Sequence, residues 1–173
     1  MNITEIIDKH LNHWKKKGGN FTLDPLPKEM FTGEFFDEED EVKYWKPIES
    51  SVTQEQIKEL EKEFNTKFPS LYKQLLLHKH FIELHIGQVS IFSHPSEGWQ
   101  NRLRKRVLDG WPKEDLIEKG LLPFADYNDW GLLCFDTNEE STPIILWDHE
   151  VADQKKLFAE DLVEALKKEE KNT

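Results

Sequence analysis

The sequence Leu132-Leu-Cys-Phe-Asp136, followed after a polar turn by Pro143-Ile-Ile-Leu-Trp-Asp-His-Glu150, is the most informative part of this chain. Each segment contains a run of apolar residues with an acid at or just past its end, and the residues between the two segments are Thr, Asn, Glu and Ser. Short apolar runs bounded by turn-forming residues are typical of strands that are buried on both faces. The sequence therefore predicts two consecutive strands in the interior of a sheet.

The segments around these strands predict several helices and further strands. Ile3, Ile6, Ile7 and Leu11 recur at helical spacing and predict an amphipathic helix over residues 3–16. The other predicted elements are a helix capped by Thr53 and Gln56, a helix from Pro69 to about His78, a hairpin over residues 81–92, helices over 97–109 (capped by Ser96) and 112–119, a strand over 121–125 and a final helix over 156–169. This order predicts a single α+β domain, with a largely antiparallel central sheet flanked by helices and an N-terminal helical extension.

The first part of the chain differs in composition from the rest. Residues 1–45 are predicted to form an N-terminal helix and an acidic connecting segment, ahead of the main domain over residues 46–173. Three prolines punctuate residues 20–47, and six acids lie between residues 34 and 41 around two phenylalanines. This composition is typical of an extended or loosely ordered connection.

The same acidic run supports a second interpretation, in which it is a docking surface for a basic partner protein. The carboxylates would attract the partner, and the aromatic residues Phe35, Phe36, Tyr44 and Trp45 would supply apolar contacts. The candidate partner-binding residues are Asp37, Glu38, Glu39, Asp40, Glu41 and Trp45. Composition does not separate this interpretation from that of a solvated linker.

The overall charge of the chain narrows the class of partner. Of 173 residues, 34 are acidic and 23 are basic, which gives a net charge of −11. Such a surface repels nucleic acid and attracts basic proteins, so nucleic acid is not an expected ligand. Cys134 is the only cysteine and suits a reducing compartment. Without a signal-peptide pattern or a run of roughly 18 apolar residues, the expected location is the cytoplasm, away from membranes.

Residue chemistry offers one candidate for catalysis. Asp136, Asp148, His149 and Glu150 follow the two apolar strands, and such residues could bind Mg²⁺ or act as acid and base in a metal-dependent hydrolase. The competing interpretation is structural, because Asp and His at strand ends commonly hydrogen-bond turn amides. Since the sequence contains no glycine-rich phosphate loop, zinc-binding cysteine pair or nucleophile elbow, the structural interpretation is favoured. No catalytic residue, metal or cofactor is predicted.

All three arginines of the chain, Arg102, Arg104 and Arg106, fall in one predicted helix together with Lys105. A basic helix in an acidic protein could contact phosphate. However, residues at alternate positions do not share one face of a helix. Pairing of these arginines with acids of the same chain is therefore the favoured interpretation.

Three segments, taken in order, resemble the SUKH superfamily (Smi/Knr-type). The first is Thr53-Gln-Glu-Gln-Ile-Lys-Glu-Leu-Glu61 with Phe68-Pro-Ser-Leu-Tyr-Lys-Gln-Leu-Leu76, which is similar to the family's capped helix and its Leu-Pro-x-x-Tyr-x-x-Phe-Leu motif. The second is the Cys-Phe-Asp136 and Trp-Asp-His-Glu150 strand pair, and the third is the terminal helix around Phe158 and Leu162. The resemblance covers about residues 48–168.

This resemblance implies a function that composition alone does not. Bacterial members of the superfamily are immunity proteins, which bind and neutralise the toxic domain of a polymorphic or contact-dependent toxin, often a nuclease, without catalysis. The expected partner is therefore a cognate toxin domain. The alternative is a regulatory scaffold like the fungal members that control cell-wall synthesis, and the metal-dependent hydrolase using Asp136, Asp148 and His149 is a third hypothesis.

Overall fold

The computed structural model describes residues 2–16, 20–129, 131–151 and 155–171. The α-helices are α1 (Ile3–Lys16), α2 (Gln54–Glu63), α3 (Ser70–His78), α4 (Trp99–Arg104) and α5 (Leu162–Glu170). The strands are β1 (Asn20–Thr22), β2 (Phe31–Asp37), β3 (Val42–Trp45), β4 (Ile48–Glu49), β5 (Lys79–His80), β6 (Leu84–Ile86), β7 (Val89–Ile91), β8 (Leu121–Tyr127), β9 (Gly131–Asp136), β10 (Ile144–Asp148) and β11 (Lys155–Ala159).

The central sheet has six antiparallel strands, β6 to β11, which lie side by side in the order in which they occur in the chain. In its interior, Cys134 of β9 lies opposite Ile145 of β10, and Leu133 lies opposite Leu146. Every residue of β9 is buried. The predicted pair of interior strands and the α+β class are therefore confirmed, and burial raises the pKa of the Cys134 thiol, so that it stays protonated.

Helix α2 precedes α3, which contacts the central sheet through an aromatic side chain. The predicted capping box begins α2, because the Gln56 amide donates to Thr53 Oγ1 over 3.3 Å and the Thr53 amide donates to Gln56 Oε1 over 3.0 Å. On α3, the ring of Tyr72 packs 5.4 Å from that of Phe135, which in turn lies 4.6 Å from Phe124. The residues that resemble the family motif thus form the contact between helix and sheet.

The N-terminal helix α1 belongs to the same core. Ile3, Ile6, Ile7 and Leu11 are buried in the hydrophobic cluster that includes the central sheet, and α1 packs against α3, α5 and β6. The boundary between residues 45 and 46 stays a prediction. Among the described residues, no helix combines the length and apolar composition needed to cross a membrane.

The prediction of a loosely ordered connection over residues 20–47 is wrong. These residues include a three-stranded antiparallel sheet in the order β1, β3, β2. Met30 and Trp45 are buried and anchor this sheet to the core. The prolines that suggested an irregular segment lie between strands, and the acids cluster in the turn between β2 and β3.

The prediction of a final helix from residue 156 is also wrong in its first part. Lys155–Ala159 form the edge strand β11, where Phe158 packs its ring 5.2 Å from Tyr127. The helix begins only at Leu162, because the Asp161 side chain accepts a hydrogen bond of 2.8 Å from the Glu164 amide and caps it.

The predicted helices before the central strands are shorter or less regular than expected. Helix α4 begins at Trp99 after Gly98, and Ser96 does not cap it but donates a hydrogen bond to Glu29. The chain continues from α4 as a π-helical turn over Lys105–Asp109. The segment that follows contains two short 3-10 turns, Lys113–Asp115 and Ile117–Lys119, instead of one helix.

Candidate protein-binding surface

The turn between β2 and β3 consists of five consecutive acids, Asp37, Glu38, Glu39, Asp40 and Glu41, called here the acidic turn. Asp37 Oδ1 accepts hydrogen bonds from the amides of Glu39, at 2.9 Å, and Asp40, at 3.2 Å. Glu41 has a φ angle of 56° and closes the turn in the left-handed region. The backbone thus fixes the turn through its first acid and leaves the other four side chains exposed.

The charge of the acidic turn is not neutralised within the described part of the chain. None of its five carboxylates forms an ion pair with a described residue, whereas several acids of the main domain do. Like charges concentrated on one loop create a negative potential that extends to roughly the Debye length, about 8–10 Å in cellular salt. The turn therefore offers a binding feature for a positively charged surface.

An exposed aromatic cluster, called here the outer aromatic patch, lies on the same small sheet. It consists of Phe21, Phe36 and Tyr44. The rings of Phe21 and Phe36 stack 4.3 Å apart at 12°, and Tyr44 meets Phe36 edge-on at 5.9 Å. Phe21 is 45% exposed and Phe36 is 54% exposed. Stacked, solvent-accessible aromatic rings are the kind of side chains that are enriched at protein interfaces.

Trp45 has a different position from the one that the docking hypothesis gave it. Its side chain is only 3% exposed, so that it cannot contact a partner in this conformation. The indole Nε1 forms no hydrogen bond with any described residue. Trp45 lies opposite Phe31 in β2 and Asn20 in β1, where it supports the small sheet from its inner side. Phe35 packs edge-on against Phe31, with ring centroids 5.4 Å apart.

Polar contacts fix the small sheet to the main domain. Arg102 Nη1 donates to Asp24 Oδ2 over 2.9 Å, and Ser96 Oγ donates to Glu29 Oε1 over 2.7 Å. The hydrogen bond from Ser96 lowers the pKa of Glu29. Together with buried Met30, these contacts hold the acidic turn and the outer aromatic patch on a positioned support.

The candidate hydrolase residues occupy structural positions. Asp136 is nearly buried, and its Oδ2 lies 2.9 Å from Lys155 Nζ while its Oδ1 accepts from the side-chain and main-chain amides of Asn138. Burial alone would raise the pKa of Asp136, but the hydrogen bonds from Lys155 and Asn138 outweigh it and lower the pKa. Asp148 Oδ1 accepts from the Glu150 amide over 2.8 Å, as in an Asx-turn.

The structure does not bring the three hydrolase candidates together. Asp148 lies opposite Gly131 at one end of the β9–β10 pair, whereas Asp136 is the last residue of β9 at the other end. With a rise of about 3.4 Å per residue, five residues separate these ends by roughly 17 Å. His149 packs its ring 5.7 Å from that of Trp111. Among the described residues, no group of three or more potential ligands is arranged to hold a metal ion.

Two histidines form a buried pair that no sequence pattern indicated. His94 Nε2 lies 2.9 Å from the Leu76 carbonyl, and His80 Nε2 accepts from the Ser51 amide over 2.9 Å. Burial, reinforced by neighbouring His80, lowers the pKa of His94 to about 3, and burial also lowers the pKa of His80. Both rings are therefore neutral at physiological pH, and their hydrogen bonds connect the segment around His94 to α3 and the residues before α2 to β5.

The predicted pairing of the arginines with acids of the same chain is confirmed. Arg102 pairs with Asp24, Arg104 Nε lies 2.7 Å from Glu63 Oε2, and Arg106 pairs with Asp126. These pairs neutralise the three arginines of the basic helix, whereas the five carboxylates of the acidic turn form no ion pair with a described residue.

A comparison with protein families matches residues 51–168 to the SMI1 / KNR4 family (SUKH-1). The chain belongs to this family. The SUKH-1 match extends from the residues before α2 into α5 and includes the whole central sheet. Family membership supports an immunity-type or protein-binding function at the level of the family, and the acidic turn and the outer aromatic patch lie ahead of the matched residues. No curated protein matches the chain.

Proposed function

We propose that this SUKH-1 protein is a non-catalytic immunity protein, which binds the toxic domain of a cognate polymorphic or contact-dependent toxin and blocks it in the cytoplasm. The observation that carries the proposal is the acidic turn, whose five carboxylates lack ion pairs with the described residues, beside the exposed outer aromatic patch. A nuclease domain suits this surface, because a groove built to bind phosphate is basic.

The two parts of this surface have separate physical roles. Charges at the rim of an interface accelerate the encounter of the two proteins, and their effect weakens with salt. Desolvated aromatic side chains mainly prolong the lifetime of the complex, because their contacts must be broken before dissociation. We therefore expect the acidic turn to determine the association rate and the outer aromatic patch to determine the dissociation rate.

The direct test uses the toxin domain encoded beside the gene of this protein. Association and dissociation rates are measured by surface plasmon resonance at low and high salt. The triple substitution Glu38→Gln, Glu39→Gln and Asp40→Asn should lower the association rate about tenfold at low salt and leave the dissociation rate nearly unchanged. Phe36→Ser should raise the dissociation rate about tenfold or more.

A matched control removes the same charge elsewhere on the protein. Glu114, Glu139 and Glu140 are exposed and lie outside the acidic turn, so their combined change to glutamine should reduce the association rate far less. Equal effects of the two triple variants would show that the acidic turn is not the docking site. The immunity function is refuted in favour of a regulatory scaffold if the neighbouring gene encodes no toxin, or if its toxin domain forms no complex with this protein at micromolar concentration.

A further inference from the structure

A cavity of about 370 Å³ lies between the strand β7 and the helix α4 with its π-helical continuation. Ile82, Ile91 and Phe92 form apolar parts of its wall. A volume of this size is within the range of roughly 300–1,000 Å³ that small-molecule sites occupy. The cavity is separate from the acidic turn and from the outer aromatic patch.

Three of the basic side chains of the chain converge on this cavity. Arg102, Lys105 and Arg106 stand at positions i, i+3 and i+4, which places them on one side of the helix. The three arginines stand at alternate positions, so that only two of them share this side with Lys105. The π-helical turn begins at Lys105, and such turns occur often at functional sites.

The cavity keeps unused hydrogen-bond donors although it also contains acids. Arg102 uses one N–H group for Asp24, and Arg106 uses one for Asp126. A guanidinium group has five N–H donors, so most donors of both arginines make no hydrogen bond within the described structure. Lys105 forms no ion pair with any described residue.

Two of the three acids at the cavity are already bound by arginines. Asp24 and Asp126 each bind an arginine, and Glu83 Oε2 lies 3.7 Å from His85 Nε2. The formal charges of the lining balance, because Glu83 is neutralised by His85 only when that histidine is protonated. Lys105 and the N–H donors that remain on the two arginines are nevertheless free of ion pairs with other described residues, and an anion is the ligand that can use them.

Two further contacts prepare the cavity for a ligand. The Arg106 guanidinium lies over the Phe92 ring, 4.4 Å from its centroid, which limits the orientations of the guanidinium. Ser93 Oγ is a buried polar atom at the cavity wall that lacks a hydrogen-bond partner among the described residues. Unsatisfied buried hydroxyl groups are uncommon in folded proteins, so this one is available to a ligand or to a bound water.

We propose that this cavity binds a small organic anion, in which a carboxylate or phosphate group is attached to an apolar body. The anionic group would contact Lys105 and the free donors of Arg102 and Arg106, and the apolar body would pack against Ile91 and Phe92. This site does not depend on the proposed toxin binding.

The test measures the displacement of a fluorescent anion by simpler ones. Anilinonaphthalene sulfonate is bound to the full-length protein and then displaced with phenyl phosphate or phenylacetate, which separates phosphate from carboxylate preference. Lys105→Gln should raise the dissociation constant of the displacing anion about tenfold, because it removes an accessible charge that pairs with no described residue. The neutral analogue N-phenylnaphthylamine should not compete with either anion.

Matched variants exclude other binding surfaces. Lys113→Gln removes an exposed lysine outside the cavity, and Phe36→Ser removes a ring of the outer aromatic patch; both variants should keep the affinity of the parent protein. Changes of amide chemical shifts on binding should concentrate at residues 90–93 and 102–106. The proposal is overturned if Lys113→Gln weakens binding as much as Lys105→Gln, or if no small anion displaces the probe. Binding of an acidic peptide alone, without small anions, would equally overturn it.

Discussion

The strands β9 and β2 carry the same kinds of side chain in opposite environments. All six residues of β9 are buried and pair with strands on both sides, whereas five of the seven residues of β2 are exposed and pair on one side only. Both strands end in an aspartate. Asp136 of β9 is bound by Lys155 and Asn138, while the hydrogen-bond partners of Asp37 within the described chain are amides of its own turn.

This difference assigns separate tasks to the two sheets. In the central sheet, aromatic and acidic side chains are satisfied by their neighbours and contribute to the stability of the fold. In the small sheet, the same residue types remain accessible and contribute little to stability. Replacing the same type of residue in each sheet should therefore lower the free energy of unfolding strongly in the central sheet and only slightly in the small sheet.

The first prediction compares two phenylalanines. Phe135→Ala removes a fully buried ring that packs against Phe124 and Tyr72, and it should lower the free energy of unfolding by about 3–5 kcal/mol. Phe36→Ala removes a half-exposed ring and should cost less than about 1 kcal/mol. Urea denaturation followed by circular dichroism measures both values. Equal losses would show that the small sheet is part of the stabilising core.

The second prediction concerns the buried histidine pair of the main domain. In the unfolded chain a histidine has a pKa near 6.5, whereas burial lowers the pKa of His94 to about 3 in the folded protein. As the pH falls below about 6.5, the unfolded state takes up a proton that the folded state does not. Stability should therefore decrease toward acid, by about 2 kcal/mol at pH 5 from His94 alone.

Urea midpoints recorded between neutral pH and about pH 5 measure this loss. His94→Gln should flatten the pH dependence even though it destabilises the protein at neutral pH. His13→Gln, which changes an exposed histidine, serves as the control and should preserve the slope. An unchanged slope in His94→Gln would mean that other groups cause the acid sensitivity.

The third prediction compares the acids of the two sheets. Asp136→Asn replaces a buried carboxylate and so weakens the contacts of this side chain with Lys155 and Asn138. It should lower the free energy of unfolding by about 1–2 kcal/mol. The triple change of Glu38, Glu39 and Asp40 removes exposed charges without ion pairs among the described residues, and should change it by less than about 0.5 kcal/mol. Differential scanning calorimetry can rank the two variants, and a reversed order would contradict the distinction between the sheets.

The sequence was sufficient to predict those parts of the fold that local patterns determine. The strands β9 and β10 were predicted because a strand buried on both faces must be apolar throughout. The start of α2 was predicted because Thr53 and Gln56 satisfy the first free amides of the helix. Both features follow from neighbouring residues in the chain.

The small sheet escaped prediction because its stability depends on distant contacts. Most residues of its longest strand, β2, are exposed, and the segment is attached to the core through a few side chains such as Met30, Trp45 and the partly buried Leu26. The alternation of Phe31, Gly33 and Phe35 with Thr32 and Glu34 is a weak strand signal that the nearby acids and prolines obscured. The sequence predicts Trp45 as an apolar anchor for a partner, whereas the structure buries it, because its environment depends on that sheet.

The edge strand β11 escaped prediction for a related reason. Lys155, Lys156 and Leu157 are exposed and compatible with a helix, and only pairing with β10 makes this segment a strand. The cavity could not be predicted either, because it depends on how α4 packs beside β7 in the folded protein. Asp136 and Asp148 each end an apolar strand in the sequence. Because the two strands are antiparallel, these residues lie at opposite ends of the strand pair.

The consecutive order of the central strands also bears on how the protein folds. Most pairings join segments that are close along the chain, so each closes a short loop at a small entropic cost. The long connection between β7 and β8, which includes α4, is the exception. We expect the ordering of this connection to limit the folding rate, so that the C-terminal hairpins form early and the arginine-bearing helix docks last.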